Sequence, residues 1–544
     1  MGQRIVKACT LFFVVLSNLA QSQNIEIGEL HGNFQIDAQY YRIDSLIGAP
    51  VVPEKVLSNG FLNLTFVKGS KFNAGLRYEN FLNPLQGFDP RWKGQGLLFR
   101  FATFNSGGLE VTAGSFYEQF GSGLVLRAYE ERGLGFDSFL DGVRVRYAPS
   151  KGIYLKGLIA KQRSFFSIGP GLIRGGDAEF QFNEMFGWND KIPKVMIGGA
   201  LVSRFQTDLD AIYNLPENVS SASARVRLIW KKWNLNAEYA YKINDPNATN
   251  GFIYRPGEAL IVNAIYSKKG IGLVLSAKRL NNMDFRSDRN ASGNNLNINF
   301  LPALTRQHTY NLPATIYPYA TQPNGEMALQ AELTYNIKKG TKLGGKYGTD
   351  VVVNLSNAYG IQKIKAENDT FGYNSNFFAV GKTPFFHDYH IELRRKINAK
   401  WKASAMYLNW LYNKDVVQGL SGFGTIYANM FVLDVAYKIS SSHTIRTEVQ
   451  GLFTKQDEGS WAMALIEYTF APHWYVAIID QYNYNNPIEN RQIHYVTFNA
   501  GYIKDGNRFM VSYGRQRAGI FCVGGVCRNV PASNGLSLTI LSSF

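Results

Sequence analysis

Apolar and polar residues alternate along most of this chain, and residues 224–243 show the pattern most clearly. On both sides of Lys231–Lys232, one parity carries Ala224, Val226, Leu228, Trp230, Trp233, Leu235, Ala237, Tyr239 and Tyr241. Arg225 and Arg227 occupy the other parity. A period of two predicts two strands of a hairpin with one lipid-type face and one water-type face. A slip of one residue would move both arginines into hydrocarbon at about 2–4 kcal/mol each, so the register is well specified.

The same unit recurs along the chain and predicts one large closed sheet. Similar alternation occupies residues 143–147, 260–275 and 327–337, and short polar turns are expected at 149–152, 268–270, 398–400, 440–443, 472–473 and 504–507. Longer Asn-rich segments, 281–324 and 367–384, separate some of these units. We therefore predict an all-β, transmembrane antiparallel β-barrel of about 24 strands (range 18–24), with short periplasmic turns and longer extracellular loops. Trp230 and Trp233 would belong to an interfacial aromatic girdle, although the core of a soluble β-sandwich is the alternative.

The stretch 535–544 is one further amphipathic strand. Leu536, Leu538, Ile540 and Phe544 share a parity, while Ser537 and Thr539 occupy the other. The stretch resembles the terminal strand of outer-membrane β-barrel proteins, in which such an aromatic ending is read by the outer-membrane assembly machinery. The resemblance implies that Phe544 is an assembly signal and that this machinery is a partner.

Residues 1–22 have the features of a secretory signal peptide. Arg4 and Lys7 precede the apolar run 11–16, and small residues at 20–22 suit cleavage after Ser22. A membrane anchor is the alternative, but the run is too short to span a bilayer. The predicted organisation is a signal peptide at 1–22 and an outer-membrane barrel at 23–544, which places the protein in the cell outer membrane in contact with its lipid and lipopolysaccharide.

The chain is rich in aromatic and basic residues. Aromatics form 14% of its 544 residues, as expected where rings line two membrane interfaces, and its formal net charge is +16. If the outer face is apolar, the positive charge must lie in the lumen, loops and turns. The candidate residues for lumen selectivity are Arg127, Arg144, Arg146, Lys156, Arg225, Arg227 and Lys242. They indicate an anionic partner, either small anionic solutes or lipopolysaccharide phosphates, with a merely solvated basic surface as the alternative. A location in the cell envelope excludes nucleic acid as a partner.

Residues 114–140 depart from regular alternation. Glycines recur from Gly114 to Gly135, and Arg127, Glu130, Glu131 and Arg132 cluster together. Glycine permits bends and close backbone approach, and these charges can pair across a lumen. We expect an inward-folded constriction or plug near 114–140, with two ordinary strands and a charged loop as the alternative.

Candidate chemistry is sparse. Cys522 and Cys527 bracket a Gly-Gly pair that suits a tight hairpin, which predicts a disulfide, with two free thiols as the alternative. Neither cysteine has further ligands at metal-binding spacing. His387 and His390 are expected to be solvated at a strand end, so we predict no metal site and no cofactor. No G-x-S-x-G motif or nucleotide fingerprint is present, and we predict no catalytic residues and no enzyme.

Three stretches carry a family resemblance. Residues 31–41, 114–135 and 317–326 resemble segments of an uncharacterised family of Bacteroidota outer-membrane proteins. The resemblance implies an outer-membrane barrel and supplies no site residues.

Two functions fit the sequence. The first is a porin-like channel with a basic lumen that passes or takes up small anionic solutes. The second is a plugged barrel that acts as a scaffold or surface-interaction protein of an envelope assembly.

Overall fold

The computed structural model describes residues 28–189, 191–523 and 526–544, so the predicted signal peptide lies outside the described part. Its main feature is one closed antiparallel sheet of 24 strands, β1–β24 in chain order. The strands are Glu29–Arg42, Val56–Lys68, Phe72–Asn83, Gly94–Ser106, Leu109–Phe116, Leu140–Ser150, Ile153–Ser164, Ser167–Gln181, Lys194–Phe205, Asn218–Trp230, Trp233–Lys242, Gly257–Lys268, Ile271–Asn281, Glu326–Ile337, Thr349–Ile361, Val380–Lys396, Trp401–Asn413, Thr425–Lys438, His443–Phe453, Trp461–Phe470, Trp474–Tyr482, His494–Lys504, Asn507–Gln516 and Ser533–Ser543.

Each strand pairs with its neighbour in the chain, and β24 pairs with β1 to close the barrel. Ile36 lies opposite Ile540 in the closing pair. Phe544 continues the ladder, since its backbone N–H donates to the Gly32 carbonyl at 2.9 Å and its carbonyl accepts from the Gly32 N–H at 2.8 Å. Closure leaves no open sheet edge. The predicted 24-stranded antiparallel barrel is confirmed.

The outer surface of the barrel is apolar. Val226, Leu333, Ile466 and Phe498 are examples of outward side chains that remain exposed although they are hydrophobic. Trp230 and Trp233 are also exposed, and they flank the β10–β11 turn where the sequence predicted an aromatic girdle. A continuous apolar exterior of this kind matches a lipid environment better than water.

The connections at the two ends of the barrel differ in length. Those at one end, the turn end, are 69–71, 107–108, 151–152, 182–193, 231–232, 269–270, 338–348, 397–400, 439–442, 471–473 and 505–506. Those at the other, the loop end, are 43–55, 84–93, 117–139, 165–166, 206–217, 243–256, 282–325, 362–379, 414–424, 454–460, 483–493 and 517–532. The loop end therefore holds most of the chain outside the strands.

Short elements interrupt these connections. Three α-helices span Phe182–Phe186, Asn311–Thr315 and Lys414–Gln418, and 3₁₀ turns span Pro90–Trp92, Arg132–Leu134, Asp369–Phe371 and Glu489–Arg491. Small hairpins pair Gln119–Phe120 with Leu126–Arg127, Glu130–Glu131 with Phe136–Asp137, Ile364–Lys365 with Tyr373–Asn374, and Gly519–Val523 with Val526–Val530. In the part of the chain that the structure describes, no helix is both long and apolar enough to cross a membrane.

The two ends also differ in charge. The turn-end connections contain eleven lysines against three acidic residues, whereas the loop-end connections contain sixteen lysines and arginines against nineteen acidic residues. Lys338, Lys339, Lys342 and Lys346 share a single turn and are all exposed. Much of the excess positive charge of the chain is therefore concentrated at the turn end.

Candidate functional site

Two loop-end connections fold into the barrel and close its lumen near the loop end. They are residues 117–139 and 282–325, together called the plug below. Their backbones bond to each other, since the Arg127 N–H donates to the Ile298 carbonyl at 2.8 Å and the Phe300 N–H to the Gly123 carbonyl at 2.9 Å. The sequence pointed to an inward element only in the first of the two segments. The second, which has the length and composition of an ordinary surface loop, is the larger part of the plug.

Apolar side chains attach the plug to the inner face of the barrel wall. From the plug, Phe120, Leu124, Leu126 and Phe285 are fully buried, and they pack in one cluster with the wall residues Ile173, Val202, Val219, Ala240 and Leu280. In a second cluster, Leu304, Leu312, Tyr317 and Tyr319 pack with the wall residues Leu408, Trp410, Met430 and Leu452. Complete burial of one such side chain contributes about 1.5–3 kcal/mol, so the plug is firmly seated.

The half of the lumen near the turn end is open to solvent and is called the vestibule below. Its inward side chains include Arg227, Thr334 and Asn336, all exposed. Part of its mouth is a depression of about 520 Å³ whose lining includes Lys71, Glu110, Arg146 and Lys156. The lumen is thus accessible at one end and closed at the other.

Five of the seven predicted lumen residues face carboxylates. The nitrogen–oxygen distances are 2.7 Å for Arg144–Glu110, 2.8 Å for Arg146–Glu118, 3.0 Å for Lys156–Glu118, 2.6 Å for Arg225–Asp177 and 3.0 Å for Lys242–Asp245. The guanidinium of Arg127 lies over the Phe300 ring, 4.0 Å from its centroid, and Arg227 donates to the neutral amide oxygen of Asn234 at 3.0 Å. The positive charge at these positions is therefore largely compensated.

Glu118, in the plug, accepts hydrogen bonds from Arg146 and Lys156 and lies 3.8 Å from Arg144. Burial alone would raise the pKa of the Glu118 carboxyl, but the hydrogen bond from Arg146 and the charges of Lys156 and Arg146 outweigh it and hold the pKa below its ordinary value. The carboxylate therefore ties the plug to wall strands β6 and β7 while it is ionised.

We expect the contribution of Glu118 to stability to depend on pH. Because its pKa is lower in the folded state, the contribution is fully present above the unfolded value of about 4.3 and is lost as the pH falls through the folded value. The unfolding midpoints of the refolded protein and of Glu118→Gln, followed by tryptophan fluorescence, should differ most near neutral pH and converge in acid. A difference that stays constant from neutral pH into acid would contradict this role.

A buried charge network joins the plug to strands β3 and β7. Asp137, in the plug, accepts from Arg163 at 2.7 Å and also from Arg77. Glu79 accepts from Arg77 at 2.6 Å and from Arg163 at 2.8 Å. All four side chains are nearly inaccessible to solvent, from 0% for Glu79 to 6% for Asp137. Each charge is stabilised by at least two partners, so removal of one leaves others buried without full compensation.

The sequence pattern alone does not mark these four residues as a site. Arg77 and Glu79 share the inward parity of β3, which is the one local signal they offer. Their other partners in the network are distant in sequence, and Glu79 and Arg163 are 84 residues apart.

A third contact between plug and wall involves two histidines and an aspartate. Nε2 of His308, in the plug, lies 2.5 Å from Oδ2 of Asp388, and Nδ1 of His390 lies 2.7 Å from Oδ1 of the same carboxylate. Asp388 and His390 belong to β16 and face inward. Asn354 supports Asp388 by donating to its backbone carbonyl at 3.1 Å.

The expectation of two solvated histidines therefore fails for His390, which is only 3% exposed. His387 has the opposite parity on the same strand, and its ring bonds to Asn409 of β17 instead. His308 has no local signal in the sequence that links it to Asp388, because it precedes Asp388 by 80 residues.

A cavity of about 510 Å³ lies beside this cluster, between the plug and the wall. His308, Asp388 and Trp410 line it, together with Arg306 and Arg528. The indole N–H of Trp410 and the hydroxyl of Thr305, also in the lining, are buried without a hydrogen-bond partner among the described residues. The cavity thus has polar groups available to a small molecule.

Cys522 and Cys527 are opposite each other in the hairpin of the 517–532 connection. This hairpin also touches the plug, since the Asn294 amide donates to the Cys527 carbonyl. The Cys522 side chain lies outside the described residues, and the disulfide stays a prediction.

We expect thiol alkylation of the unfolded, non-reduced mature protein to leave both cysteines unmodified. After reduction, intact mass should increase by two alkyl groups, because Cys9 lies in the predicted signal peptide. Modification of either cysteine before reduction would exclude the bond.

Comparison with known proteins gives one family and several distant structural likenesses. No curated protein matches the chain. Among solved structures, the P pilus usher (PapC) translocation pore has a TM-score of 0.41 at 10% identity, with 94% of this chain and 98% of that chain covered. The siderophore receptor PirA from Pseudomonas aeruginosa has a TM-score of 0.40 at 10% identity, with 96% and 81% covered. OccAB3 of Acinetobacter baumannii has a TM-score of 0.35 at 10% identity, with 95% and 99% covered.

Each of these TM-scores is below 0.5, so none of the likenesses bears on the function of this chain. The family match covers nearly the whole sequence. The sequence model of the Family of unknown function (DUF6029) matches residues 2–544, and the chain belongs to that family.

Proposed function

We propose that this protein is an outer-membrane transport barrel for small anionic solutes, closed at rest by its own plug. The observation that carries the proposal is the asymmetry of the lumen, which has a solvent-filled vestibule at the turn end and a plug at the loop end. A lumen of 24 strands is wide enough to conduct when it is empty. Passage through this barrel then requires the plug to move.

The apolar exterior supports placement in a membrane. Exposed hydrophobic side chains surround the barrel, and Trp230, Trp233, Trp401 and Trp474 all lie near the turn end, where an interface would need them. Lipopolysaccharide and phospholipid are then the surrounding partners, and the assembly machinery that would read Phe544 is the partner during insertion. Residues 1–22 would direct export before that step.

The charge distribution supports an anionic solute, although by a different route from the seven predicted lumen residues. Most of those residues are paired with carboxylates, whereas the turn-end lysines are exposed around the mouth of the vestibule. Exposed positive charge at the mouth raises the local concentration of anions. Selectivity is therefore expected to arise at the mouth more than inside the lumen.

Planar-bilayer recording tests the proposal. The refolded protein should give few or no conductance steps, and a variant without the plug should give anion-selective steps in a salt gradient. Replacement of Lys338, Lys339, Lys342 and Lys346 by glutamine in that variant should reduce the anion preference. The matched control replaces the exposed loop-end residues Lys365 and Lys455. Cation preference of the open variant would overturn the anionic assignment, and free conductance with the plug seated would overturn the closed state.

A permanently closed barrel that presents its loop end to an envelope partner is the second candidate. The apolar attachment of the plug favours it, because such contacts are costly to separate in water. Capture of a defined envelope partner by a barrel that stays silent would favour this function.

A further inference from the structure

His308, Asp388 and His390 bring two imidazole nitrogens and a carboxylate to the boundary between plug and wall. The ligating atoms of the three side chains all lie within 4.8 Å of one another. Asp388 and His390 are buried, and the His308 side chain is 7% exposed. The set is therefore largely buried, and it joins two parts of the chain that contact each other only in the folded barrel.

Two imidazoles and one carboxylate are a donor set suited to Zn²⁺ and chemically similar divalent ions. Bonds of about 2.0–2.2 Å in a tetrahedral arrangement place neighbouring donors about 3.3 Å apart. Here both imidazoles already face the Asp388 carboxylate at 2.5 and 2.7 Å. Each imidazole nitrogen would have to move away from the carboxylate by less than about 1 Å to admit an ion between them.

The surroundings also fit a metal site. The Asn354 amide donates to Oδ1 of Asp388 at 3.3 Å, which orients the carboxylate as an outer-shell partner does. His308 and Asp388 line the 510 Å³ cavity, so one side of the cluster is open to a water molecule or a small ligand.

We propose that His308, Asp388 and His390 form a Zn²⁺-type site that pins the plug to the barrel wall. A bound ion would replace the His308–Asp388 and His390–Asp388 hydrogen bonds by coordinate bonds, and through His308 it would link residues 282–325 to β16. Binding to the seated plug but not to a displaced one stabilises the seated form by mass action. The inference depends on the position of the plug alone and stands whether or not the barrel transports a solute.

Metal titration of the refolded full-length mature protein tests the site. We expect one Zn²⁺ per chain by calorimetry, and a Co²⁺ absorption spectrum of low-symmetry coordination when Co²⁺ replaces it. His308→Ala and His390→Ala should each weaken Zn²⁺ binding about 100-fold or more, since each removes a ligand. His387→Ala is the matched control, because His387 is on the same strand as His390 but bonds to Asn409.

A second readout separates coordination from folding. Zn²⁺ should protect residues 282–325 from protease in the wild type, and chelation should remove the protection. His308→Gln can retain a hydrogen bond to Asp388 and should keep a heat-modifiable barrel while losing the Zn²⁺ effect. Absence of Zn²⁺ binding in the wild type, or equal binding by His308→Gln and the wild type, would overturn the site. Conductance is not part of this test, so its result is independent of the transport proposal.

Discussion

Replacement of residues 283–324 by a short linker is expected to raise the single-channel conductance by roughly tenfold or more, because it removes the larger plug segment from a lumen of porin width. The barrel should still close. Leu280 and Glu326 are already paired across β13 and β14, so a hairpin loop of about four residues can join the strands. The measurement is single-channel recording in a planar bilayer, with heat-modifiable migration as the check on folding.

The deletion exposes apolar wall residues to water. Leu408, Trp410 and Met430 are buried against the plug, and each stands to lose about 1.5–3 kcal/mol on exposure. A matched control shortens the β9–β10 connection by deletion of 209–213, whose Leu209 and Ile212 are almost fully exposed. A folded deletion variant that stays as silent as this control would show that residues 117–139 alone close the lumen.

Asp137→Ala is expected to lower the free energy of unfolding by about 3–5 kcal/mol, because it leaves the buried charges of Arg77 and Arg163 with one fewer partner. Asp137 is the plug residue that contacts both arginines, so the loss falls on the contact between plug and wall. Equilibrium unfolding measures the cost, and protease sensitivity of residues 117–139 reports release of the segment. Asp137→Asn preserves the shape of the side chain and should lower the free energy of unfolding less than Asp137→Ala does.

Asp141→Ala is the control for this substitution. Asp141 lies four residues further along and pairs at 3.2 Å with Arg100, whose side chain is 56% exposed. An exposed pair contributes about 0–1 kcal/mol, so the change should be small. Equal losses for the two alanine variants would show that burial of the network adds nothing to the attachment of the plug.

Strands were predictable from the sequence because their signal is local. The alternation around Lys231–Lys232 specifies two strands, their turn and their outward face, and no distant residue is needed to read it. Repetition of this unit yielded the all-β class and the strand number. The girdle position of Trp230 and Trp233 followed from the same parity.

The plug was harder to predict, because a loop carries no periodic signal for the side of the barrel to which it folds. The sequence of strand β17 nevertheless contains one signal that indicates a plug. Met406, Leu408, Trp410 and Tyr412 are all apolar or aromatic and face inward, where an open, water-filled lumen would favour polar groups. Apolar residues on both faces near the loop end indicate that something inside covers the inner face.

The contacts that seat the plug depend on distant pairs. Glu79 meets Arg163, and His308 meets Asp388, across 84 and 80 residues of sequence. No spacing rule links such residues before the topology is known. The charged residues could therefore be recognised in the sequence, but their partners could not. For this reason the arginines were interpreted as free lumen charges.

The unequal charge of the two ends gives the barrel an electric dipole along its axis. The turn-end connections carry a net positive charge and the loop-end connections a slight net negative charge. In a membrane whose two surfaces differ in charge, the two orientations of such a dipole have different electrostatic energies. The lysines of the turns thereby favour one direction of insertion over the other, a choice that the alternation within the strands, being the same in either orientation, does not make.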